Sequence, residues 1–392
     1  MAEPGPNPAK PGRIRVLQLI KGLGPGGAEQ LLVQHARKHD RGRFDYVVAY
    51  VVPEKNHLVP LLAEQGVPAV CLTPEPTFST GTWPSTGTRA PAGAWIPRLR
   101  RLLIDTPFDV VHVHSPLLAA TVRIMARALP PDRRPHVVAT EHNRWPRHHP
   151  ITRLANRATI GLDSRTFAVS DDVAATMPSA SAVDVVVHGI DVARTEALAA
   201  RRAEIRAEFG LSDDEVVIGT VANYRNEKAY DLLLDVAADV VGSRPNCRYL
   251  LVGQGPLEAA IIEQHERLGL GDRVILAGYR PDATAVTAAF DVFTMSSRHE
   301  GLPVALMDAL ALGRPVAATR AGGIPQAVRH DKEALLVDID DAAGLADAHR
   351  ALIDDRDLRR RLGDAARIRA LSFDAERTTA RLEGEYLTLC SA

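Results

Sequence analysis

The chain has 392 residues, of which 46% are hydrophobic and 24% are charged. This length suits two domains, and this composition excludes a disordered chain. The formal net charge is −1, without the basic excess of a dedicated nucleic-acid-binding protein. We therefore expect no nucleic-acid partner.

The charge is unevenly distributed along the chain. Residues 1–195 contain 23 Lys and Arg against 16 Asp and Glu, a net charge of +7, whereas the remaining residues have a net charge of −8. A basic half suits an anionic acceptor or surface. Its arginines, from Arg98 to Arg157, are interleaved with Leu99, Leu102, Leu103 and Trp145. This pattern predicts peripheral contact with an anionic membrane, and ordinary solvated helix faces are the alternative.

Nothing in the sequence predicts a membrane span or a secretion signal. No apolar run approaches the ~20 residues that a span needs. Residues 1–12 contain four prolines and no apolar stretch, which predicts a flexible leader rather than a signal peptide. The three cysteines show no CxxC spacing, as in a reducing compartment. We expect a cytoplasmic protein, peripheral at the inner face of the cell membrane if its basic surface binds lipid.

Short apolar runs alternate with helical patterns along most of the chain, which is typical of βαβ units and parallel sheets. Strands are predicted in the first half at 14–20, 46–52, 69–72, 110–114, 136–140, 166–169 and 183–188. Strands are predicted in the second half at 216–221, 249–252, 274–276, 292–295, 316–319 and 334–337. The intervening helices include 28–38, 117–129, 230–241, 257–268 and 303–312.

This rhythm predicts an α/β protein with two Rossmann-like, doubly wound domains at 13–188 and 189–372, after the leader at 1–12. A C-terminal helix at 373–392 can pack back on the N-terminal domain. Residues 73–97 are rich in Pro, Gly, Ser and Thr and have no period, so we expect a long loop there.

A glycine-rich loop follows the first predicted strand and opens a helix. Glycines such as Gly26 and Gly27 allow close approach of a ligand, and the helix N-terminus favours phosphate. Gly22, Gly24 and Gly27 also satisfy GxGxxG, but a dinucleotide site needs an acidic residue at the end of the second strand. Glu54 is a poor candidate for that residue. The loop therefore predicts phosphate binding rather than NAD binding.

Charged residues follow two strands of the second half. Arg225 and Lys228 come after the strand at 216–221, where open α/β sheets bind ligands, and can neutralise a diphosphate. Glu300 stands before the helix at 303–312 and Asp308 lies inside it, so both carboxylates can reach sugar hydroxyls. The amides after Gly301, at the start of the helix, can face a phosphate.

From Arg15 to about Arg369 the chain resembles the retaining GT-B glycosyltransferases of the glycosyltransferase 4 group. The E-x7-E motif of that family matches Glu300 and, with a substitution, Asp308. Further matches are R-x-x-K-G at Arg225 and Lys228, with Ala229 in place of glycine, GGAE at Gly26–Glu29, DVVHVHS at Asp109–Ser115, xHN at Glu141–Asn143, GxPVVATxxGG at Gly313–Gly323, AVS at Ala168–Ser170 and NGID at His188–Asp191.

The resemblance implies a GT-B architecture, in which two domains face each other across a cleft, and a role for each matched residue. Arg225 and Lys228 hold the diphosphate and stabilise the leaving nucleotide, while Glu300 contacts the donor sugar. His142 faces that sugar from the first domain. The implied donor-binding residues are Gly26 and Gly27 at the phosphates, Gly301 and Leu302 at the helix start, Asp308 at the ribose, and Gly255 with the backbone of Tyr279 and Arg280 at the base.

The predicted function is a retaining transfer of a sugar from a UDP- or GDP-sugar to a hydroxyl of a sugar or lipid-linked acceptor, in glycan, glycolipid or polysaccharide biosynthesis. We expect no cofactor and no metal. Asp338 and Asp340 spell a metal-binding DxD, which we interpret as a helix cap. His112 and His114 lack a carboxylate or cysteine partner in the pattern. The alternatives are a sugar-nucleotide epimerase, or an inactive homologue that binds ligands, which the departures at Asp308, Ala229 and His188 keep open.

Overall fold

The computed structural model describes residues 12–24, 26–73, 93–178, 182–187 and 189–391. The predicted leader, most of the predicted loop at 73–97 and His188 lie outside the described residues. Within these ranges, no helix combines the length and the apolar character needed to cross a bilayer.

The chain divides into two compact units. Unit 1 comprises Met1–Gly189 and Ala375–Ala392, and unit 2 comprises Ile190–Asp374. The chain therefore passes from unit 1 to unit 2 and back again. Close to these two crossings, the amide of Ile190 donates to the carbonyl of Phe373 at 2.8 Å.

Unit 1 contains a seven-stranded parallel sheet. Its strands are β1 (Ile14–Ile20), β2 (Phe44–Tyr50), β3 (Ala69–Cys71), β4 (Val110–Val113), β5 (His136–Glu141), β6 (Arg165–Ala168) and β7 (Val183–Val185). They lie in the order β3-β2-β1-β4-β5-β6-β7. The α-helices of unit 1 are α1 (Gly27–Lys38), α2 (Val59–Glu64), α3 (Trp95–Asp105), α4 (Pro116–Arg127), α5 (Pro150–Thr159), α6 (Asp171–Ala174) and, at the end of the chain, α16 (Ala375–Ser391).

The sheet of unit 1 is buried on both faces, which explains the nearly continuous apolar sequence of β1. Val16 and Ile20 belong to a core that includes residues of α1 and α16, whereas Leu17 and Leu19 belong to a core that includes residues of α3 and α4. Tyr386 of α16 is fully buried in the first of these cores. The last helix is thus part of the core of unit 1.

Unit 2 contains a six-stranded parallel sheet. Its strands are β8 (Val216–Val221), β9 (Cys247–Val252), β10 (Val274–Gly278), β11 (Val292–Met295), β12 (Val316–Thr319) and β13 (Ala334–Val337). They lie in the order β10-β9-β8-β11-β12-β13. Its α-helices are α7 (Val192–Ala197), α8 (Arg202–Glu208), α9 (Tyr230–Ser243), α10 (Glu258–Arg267), α11 (Ala283–Val286), α12 (Val304–Ala311), α13 (Ile324–Ala327), α14 (Ala342–Asp354) and α15 (Arg356–Ala370).

Two features of the sequence prediction are wrong in detail. The loop predicted to run to Pro97 ends earlier, because α3 begins at Trp95. Pro97 lies in the first turn of that helix, where a missing amide proton costs no helical hydrogen bond. The strand predicted at 183–188 ends at Val185.

Candidate functional site

The charged residues of unit 2 lie at the switch point of its sheet. β8 and β11 are neighbours, but the chain leaves β8 toward β9 on one side and leaves β11 toward β12 on the other. Ligands of open α/β sheets bind at the carboxyl ends of the strands at such a point. Arg225 and Lys228 follow β8, and Glu300 follows β11.

Lys228 and Glu300 form the centre of this site. The ammonium Nζ of Lys228 donates to both carboxylate oxygens of Glu300, at 2.6 and 2.7 Å. The hydroxyl of Ser297 donates to Glu300 Oε1 at 2.6 Å, and the carboxylate side chain is only 6% exposed. Arg225 is exposed, and its guanidinium makes no hydrogen bond or ion pair with any residue in the part of the chain that the structure describes. The exposed guanidinium of Arg225 is therefore available to an anionic ligand, next to the fixed ion pair of Lys228 and Glu300.

The backbone that carries Lys228 is held in an unusual conformation. Ala229 has φ 49° and ψ 49°, in the left-handed region that favours glycine, and it is fully buried. The hydroxyl of Ser296 donates to the carbonyls of Lys228 and Ala229 at 2.9 and 3.0 Å. The amide of Arg298 donates to the carbonyl of Glu227 at 2.8 Å. These bonds join the loop after β8 to the loop after β11.

Two glycines after β12 support the segment that carries Glu300. A Cβ atom on Gly322 would lie 1.9 Å from the carbonyl oxygen of Glu300, and one on Gly323 would lie 2.0 Å from that of Gly301. The amide of Gly323 also donates to the Gly301 carbonyl at 2.8 Å. Only glycine permits this approach, so the glycine pair determines the position of the loop. The adjacent Leu302 is buried.

The residues predicted at the base pocket occupy different environments. Gly255 packs closely against the loop after β8. A Cβ atom at this position would lie 2.5 Å from the carbonyl oxygen of Tyr224. The ring of Tyr279 is exposed. The guanidinium of Arg280 forms ion pairs with Glu208 and Asp282, so its side chain is already occupied within unit 2. The sequence predicts ligand binding by the backbone of Arg280 rather than by this side chain.

Asp308 lies in α12 and is held by two threonines. The hydroxyl of Thr284 donates to Oδ2 at 3.1 Å, and the hydroxyl of Thr195 donates to Oδ1 at 3.3 Å. Burial raises the pKa of Asp308 to about 7, against the opposing effect of these hydrogen bonds. The carboxylate therefore has protein partners, and its burial is no argument by itself for a bound ribose.

In unit 1, Gly26 and Gly27 begin α1. Gly26 is the N-cap residue, and its carbonyl accepts from the amide of Gln30 at 3.0 Å. The carboxylate of Glu29 folds back onto Gly26, where a Cβ atom would lie 2.3 Å from Oε2. Burial raises the pKa of Glu29, although its own helix-start amide and Lys55 oppose this. The glycine at 26 leaves room for this carboxylate at the helix start.

His142 follows β5 and is held at its backbone and its ring. Glu141 Oε1 accepts from the amides of His142 and Asn143, at 3.1 and 3.2 Å. The ring nitrogen Nε2 of His142 lies 3.2 Å from Nδ1 of His114. Burial lowers the pKa of His142 to about 4, against the opposing charge of Glu141. The ring is therefore neutral at neutral pH.

The ring of His114 is connected to a buried polar network. Its Nε2 lies 2.7 Å from Oε1 of Gln18, and the amide nitrogen of Gln18 donates to the hydroxyl of Tyr386 at 3.5 Å. That hydroxyl lies 2.5 Å from Nδ1 of His112, whose Nε2 lies 2.7 Å from Oγ1 of Thr140. The sequence pattern offered no signal for Gln18 and Tyr386, because their partners are distant along the chain.

The acidic pair at 338 and 340, which the sequence predicts to cap a helix, does not cap one. Asp341 caps α14 by accepting from the amide of Gly344 at 2.8 Å, and Asp340 pairs instead with Arg298 at 2.6 Å. The pattern placed the cap too early by at least one residue. Among the described residues, no three His, Cys, Asp or Glu side chains are grouped as metal ligands.

Two family models match the chain. The model of Glycosyltransferase Family 4 matches residues 25–194, and the model of Glycosyl transferases group 1 matches residues 201–369. Together they span most of the chain, with one model on each half.

Similar curated proteins include a 2-deoxystreptamine glucosyltransferase of Streptomyces kanamyceticus, 31% identical over 64% of this chain and 63% of that protein. A D-inositol 3-phosphate glycosyltransferase of Nocardia farcinica is 34% identical over 52% of this chain and 47% of that protein. An N-acetyl-alpha-D-glucosaminyl L-malate synthase of Bacillus anthracis is 29% identical over 47% of this chain and 48% of that protein. The chain thus spans about half to less than two thirds of the length of these relatives.

The fold is similar to that of solved structures. Anabaena HepE in complex with UDP and glucose superimposes with a TM-score of 0.79 at 22% identity, over 96% of this chain and 100% of that one. Sucrose-phosphate synthase from Thermosynechococcus elongatus gives a TM-score of 0.78 at 18% identity, over 96% and 99%. At these identities the likeness establishes the fold alone.

Proposed function

Because the chain belongs to the group 1 glycosyltransferases, we propose that it transfers a sugar from a nucleoside diphosphate sugar to an acceptor hydroxyl with retention of anomeric configuration. The observation that carries this proposal is the assembly of Arg225, Lys228 and Glu300 at the switch point of unit 2. Two cations and a carboxylate there suit a diphosphate linked to a sugar.

The chemistry follows from the charge that develops on the leaving group. The bond between the anomeric carbon and the β-phosphate oxygen breaks, the acceptor oxygen bonds to that carbon, and the acceptor proton passes to the departing phosphate. Lys228 and Arg225 stabilise the negative charge of that phosphate, as fixed positive groups do in other transferases. We assign no nucleophile to the protein, which is in keeping with transfer on the donor's own face. This arrangement requires no metal ion.

Glu300 has two roles in this proposal. In the structure it neutralises Lys228, so the ammonium is held in place without a ligand. A bound diphosphate supplies a competing partner for Lys228, and the carboxylate then becomes available to accept hydrogen bonds from sugar hydroxyls. Ser297 keeps one carboxylate oxygen in position during this exchange.

The donor and acceptor are proposed only by class. Anabaena HepE was solved with UDP and with UDP-glucose, which makes a UDP-sugar the first donor to test. The curated relatives are named for acceptors as different as 2-deoxystreptamine and inositol 3-phosphate. We propose a sugar or lipid-linked hydroxyl, in glycan, glycolipid or polysaccharide biosynthesis.

The test is nucleotide release by the full chain from UDP-, GDP- and ADP-sugars, with and without a cell lipid extract and with and without EDTA. We expect release from one nucleotide class, sustained in EDTA, and a product whose anomeric configuration by NMR equals that of the donor. Loss of activity in EDTA that Mg²⁺ or Mn²⁺ restores would refute metal independence. Conversion of the donor to an epimer without release would favour an epimerase, and donor binding without turnover would favour an inactive homologue.

We also propose peripheral contact with an anionic membrane through unit 1, but with different apolar residues from those predicted. Leu99, Leu103 and Trp145 are buried and Leu102 is half-buried, because α3 and the segment before α5 turn these side chains toward the core. The exposed apolar side chains are instead Ile151 and Leu154 of α5, at 73% and 70%.

The surroundings of these two side chains support the membrane proposal. Helix α4, which packs against α5, exposes Leu117 and Ile124. Arg147 and Arg157 flank the apolar pair along the chain and are exposed. Apolar side chains beside arginines suit insertion between anionic headgroups, each basic residue contributing about 1 kcal/mol near the surface.

A further inference from the structure

We infer that Arg298 is a positioning residue, whose side chain ties three loops of unit 2 together and so holds Lys228 opposite Glu300. The inference rests on the proposed function only where it concerns turnover. The ion pair of Lys228 and Glu300 is formed within unit 2 and needs no ligand, so its geometry can be tested by itself.

Arg298 belongs to the segment after β11 that also carries Glu300. Its Nη1 and Nη2 donate to Oδ1 and Oδ2 of Asp231 at 3.0 and 2.9 Å, and its Nε donates to Oδ1 of Asp340 at 2.6 Å. Asp231 lies in the first turn of α9, three residues after Lys228, and Asp340 lies between β13 and α14. One guanidinium therefore connects the segments that follow β8, β11 and β13.

The geometry of the guanidinium makes this connection stiff. Two parallel N–H groups on one carboxylate restrain the angle between the two groups as well as their distance. The third donor, on Asp340, fixes the guanidinium at a second point. The hydrogen bonds from Arg298 hold the pKa of the Asp231 carboxyl below its usual range, so this pair stays charged at neutral pH.

The backbone of the same segment reaches the loop after β8 on the other side of Lys228. The amides of Arg298 and His299 both donate to the carbonyl oxygen of Glu227, at 2.8 and 3.3 Å. Lys228 is thus held from the residue before it and from the first turn of the helix after it. Its ammonium meets Glu300, two residues beyond Arg298. These anchors determine the separation across which the ion pair forms.

A second clamp of the same chemistry provides a matched control. Arg350 of α14 pairs with Asp239 of α9 and with Asp347 of its own helix. Arg350 and Arg298 are similarly exposed, at 25% and 32%, and ion pairs this open to water contribute little to the stability of a fold. Asp239 lies eight residues beyond Asp231, about 12 Å further along α9 and away from Lys228.

The experiment is ¹⁵N NMR of the lysine ammonium groups in the full chain, without any substrate. We expect a signal from Lys228 in the wild type, identified by its loss in Lys228→Arg, because the hydrogen bonds with Glu300 slow proton exchange with water. Arg298→Leu should remove this signal or shift it to that of the exposed Lys332, and Arg350→Leu should leave it unchanged. An unchanged signal in Arg298→Leu, or an equal loss in Arg350→Leu, overturns the inference.

A third protein separates position from charge. Arg298→Leu leaves the carboxylates of Asp231 and Asp340 unpaired, whereas the triple variant Arg298→Leu, Asp231→Asn and Asp340→Asn removes all three charges. We expect the triple variant to lose the Lys228 signal as Arg298→Leu does, because the anchors are still missing. A wild-type signal in the triple variant would make the effect one of charge alone and would overturn the positioning role.

Activity is measured separately on the same proteins. We expect kcat to fall about tenfold in Arg298→Leu, less than the 10²-fold that a misplaced catalytic group can cost, and to stay unchanged in Arg350→Leu. An unchanged kcat in Arg298→Leu, with an active wild type, contradicts the inference and leaves the proposed function standing. If the Lys228 signal responds as expected but the wild type turns over no donor, the proposed function fails and the positioning role stands.

Discussion

Lys228 is the residue whose loss should most directly affect the proposed transfer. Its ammonium is fixed by Glu300 at the switch point of the unit 2 sheet, where we propose that the diphosphate binds. Lys228→Ala should lower kcat by roughly 10²–10³, the effect of removing one preorganised charge stabiliser. The matched control is Lys332→Ala, which removes an exposed lysine elsewhere in unit 2. The measurement is steady-state nucleotide release, and equal rates for the two variants would contradict the assigned role.

Asp308 is expected to act on donor binding rather than on the chemical step. Asp308→Ala should raise the donor KM tenfold to a hundredfold, about 1.5–3 kcal/mol for a charged hydrogen bond, with little change in kcat. An unchanged donor KM would mean that Asp308 does not bind the ribose. The inactive-homologue alternative would then gain support.

A pH series on Asp308→Asn measures how the buried carboxyl of Asp308 affects the stability of the fold. The pKa of Asp308 is raised to about 7 in the folded protein, so the folded state holds a proton that the unfolded chain loses from about pH 4. This group therefore lowers stability as pH rises from about 4 to about 7. Asp308→Asn keeps an oxygen acceptor for one threonine, offers an amide NH2 to the hydroxyl oxygen of the other, and removes this pH dependence. Thermal unfolding at pH 5 and pH 8 should show the larger gain for the variant at pH 8.

The sequence singles out the charged residues of unit 2 as candidates for the site, but not the residues that hold them in place. Arg225, Lys228 and Glu300 are recognisable because they follow strands at the edge where open α/β sheets bind ligands, and because their spacing matches a known family. Ser297 and Gln18 carry no such signal, since a serine or a glutamine becomes informative only when its partner is known. The threonine partners of Asp308 could not be predicted from the sequence either, because they come from two other helices, α7 and α11.

At the scale of elements, the turn from β8 into α9 contains a residue poorly suited to its conformation. Ala229 occupies the left-handed region, which costs about 1–2 kcal/mol for a residue with a Cβ atom. Ala229→Gly removes this strain but loses a buried methyl group and makes the unfolded chain more flexible. We expect a net stabilisation of up to about 1 kcal/mol, measured by urea unfolding.

The control for this substitution is Ala259→Gly, an exposed position inside α10. There the same chemical change should destabilise by about 1 kcal/mol, because the alanine is already helical. A gain in the free energy of unfolding at position 229 and a loss at position 259 would support the strain at Ala229. Equal destabilisation would show that the left-handed conformation costs this chain nothing.

Helix α5 provides the test of the membrane proposal. Ile151→Ser with Leu154→Ser should reduce flotation with anionic vesicles at least tenfold, because burial of each side chain contributes roughly 1.5–3 kcal/mol. The matched control is Ile368→Ser with Leu371→Ser, which changes two exposed apolar residues of unit 2. Neutral vesicles should bind the wild type more weakly. The proposal fails if the wild type floats equally with anionic and neutral vesicles. It also fails if the α5 double variant and the control double variant float equally with anionic vesicles.

The elements themselves were largely predictable because most strands are buried on both faces and therefore read as apolar runs. Boundaries were less accurate where the signal was ambiguous. Proline suggested that the loop continued to Pro97, although the first turn of α3 accommodates it. The faces of α3 were also misjudged, since its arginines are exposed while Leu99 and Leu103 face the core. Only tertiary packing determines which side of such a helix meets solvent.

At the scale of the whole molecule, the path of the chain has a consequence for its synthesis. Unit 2 is one continuous stretch and can fold as soon as it has left the ribosome. The strands of unit 1 are made before unit 2, yet Leu382 and Tyr386 of α16, which are made after unit 2, complete the core of unit 1. Unit 1 is therefore completed only after unit 2 has been made, and its incomplete apolar surface stays exposed to aggregation or chaperones while roughly 190 further residues are translated.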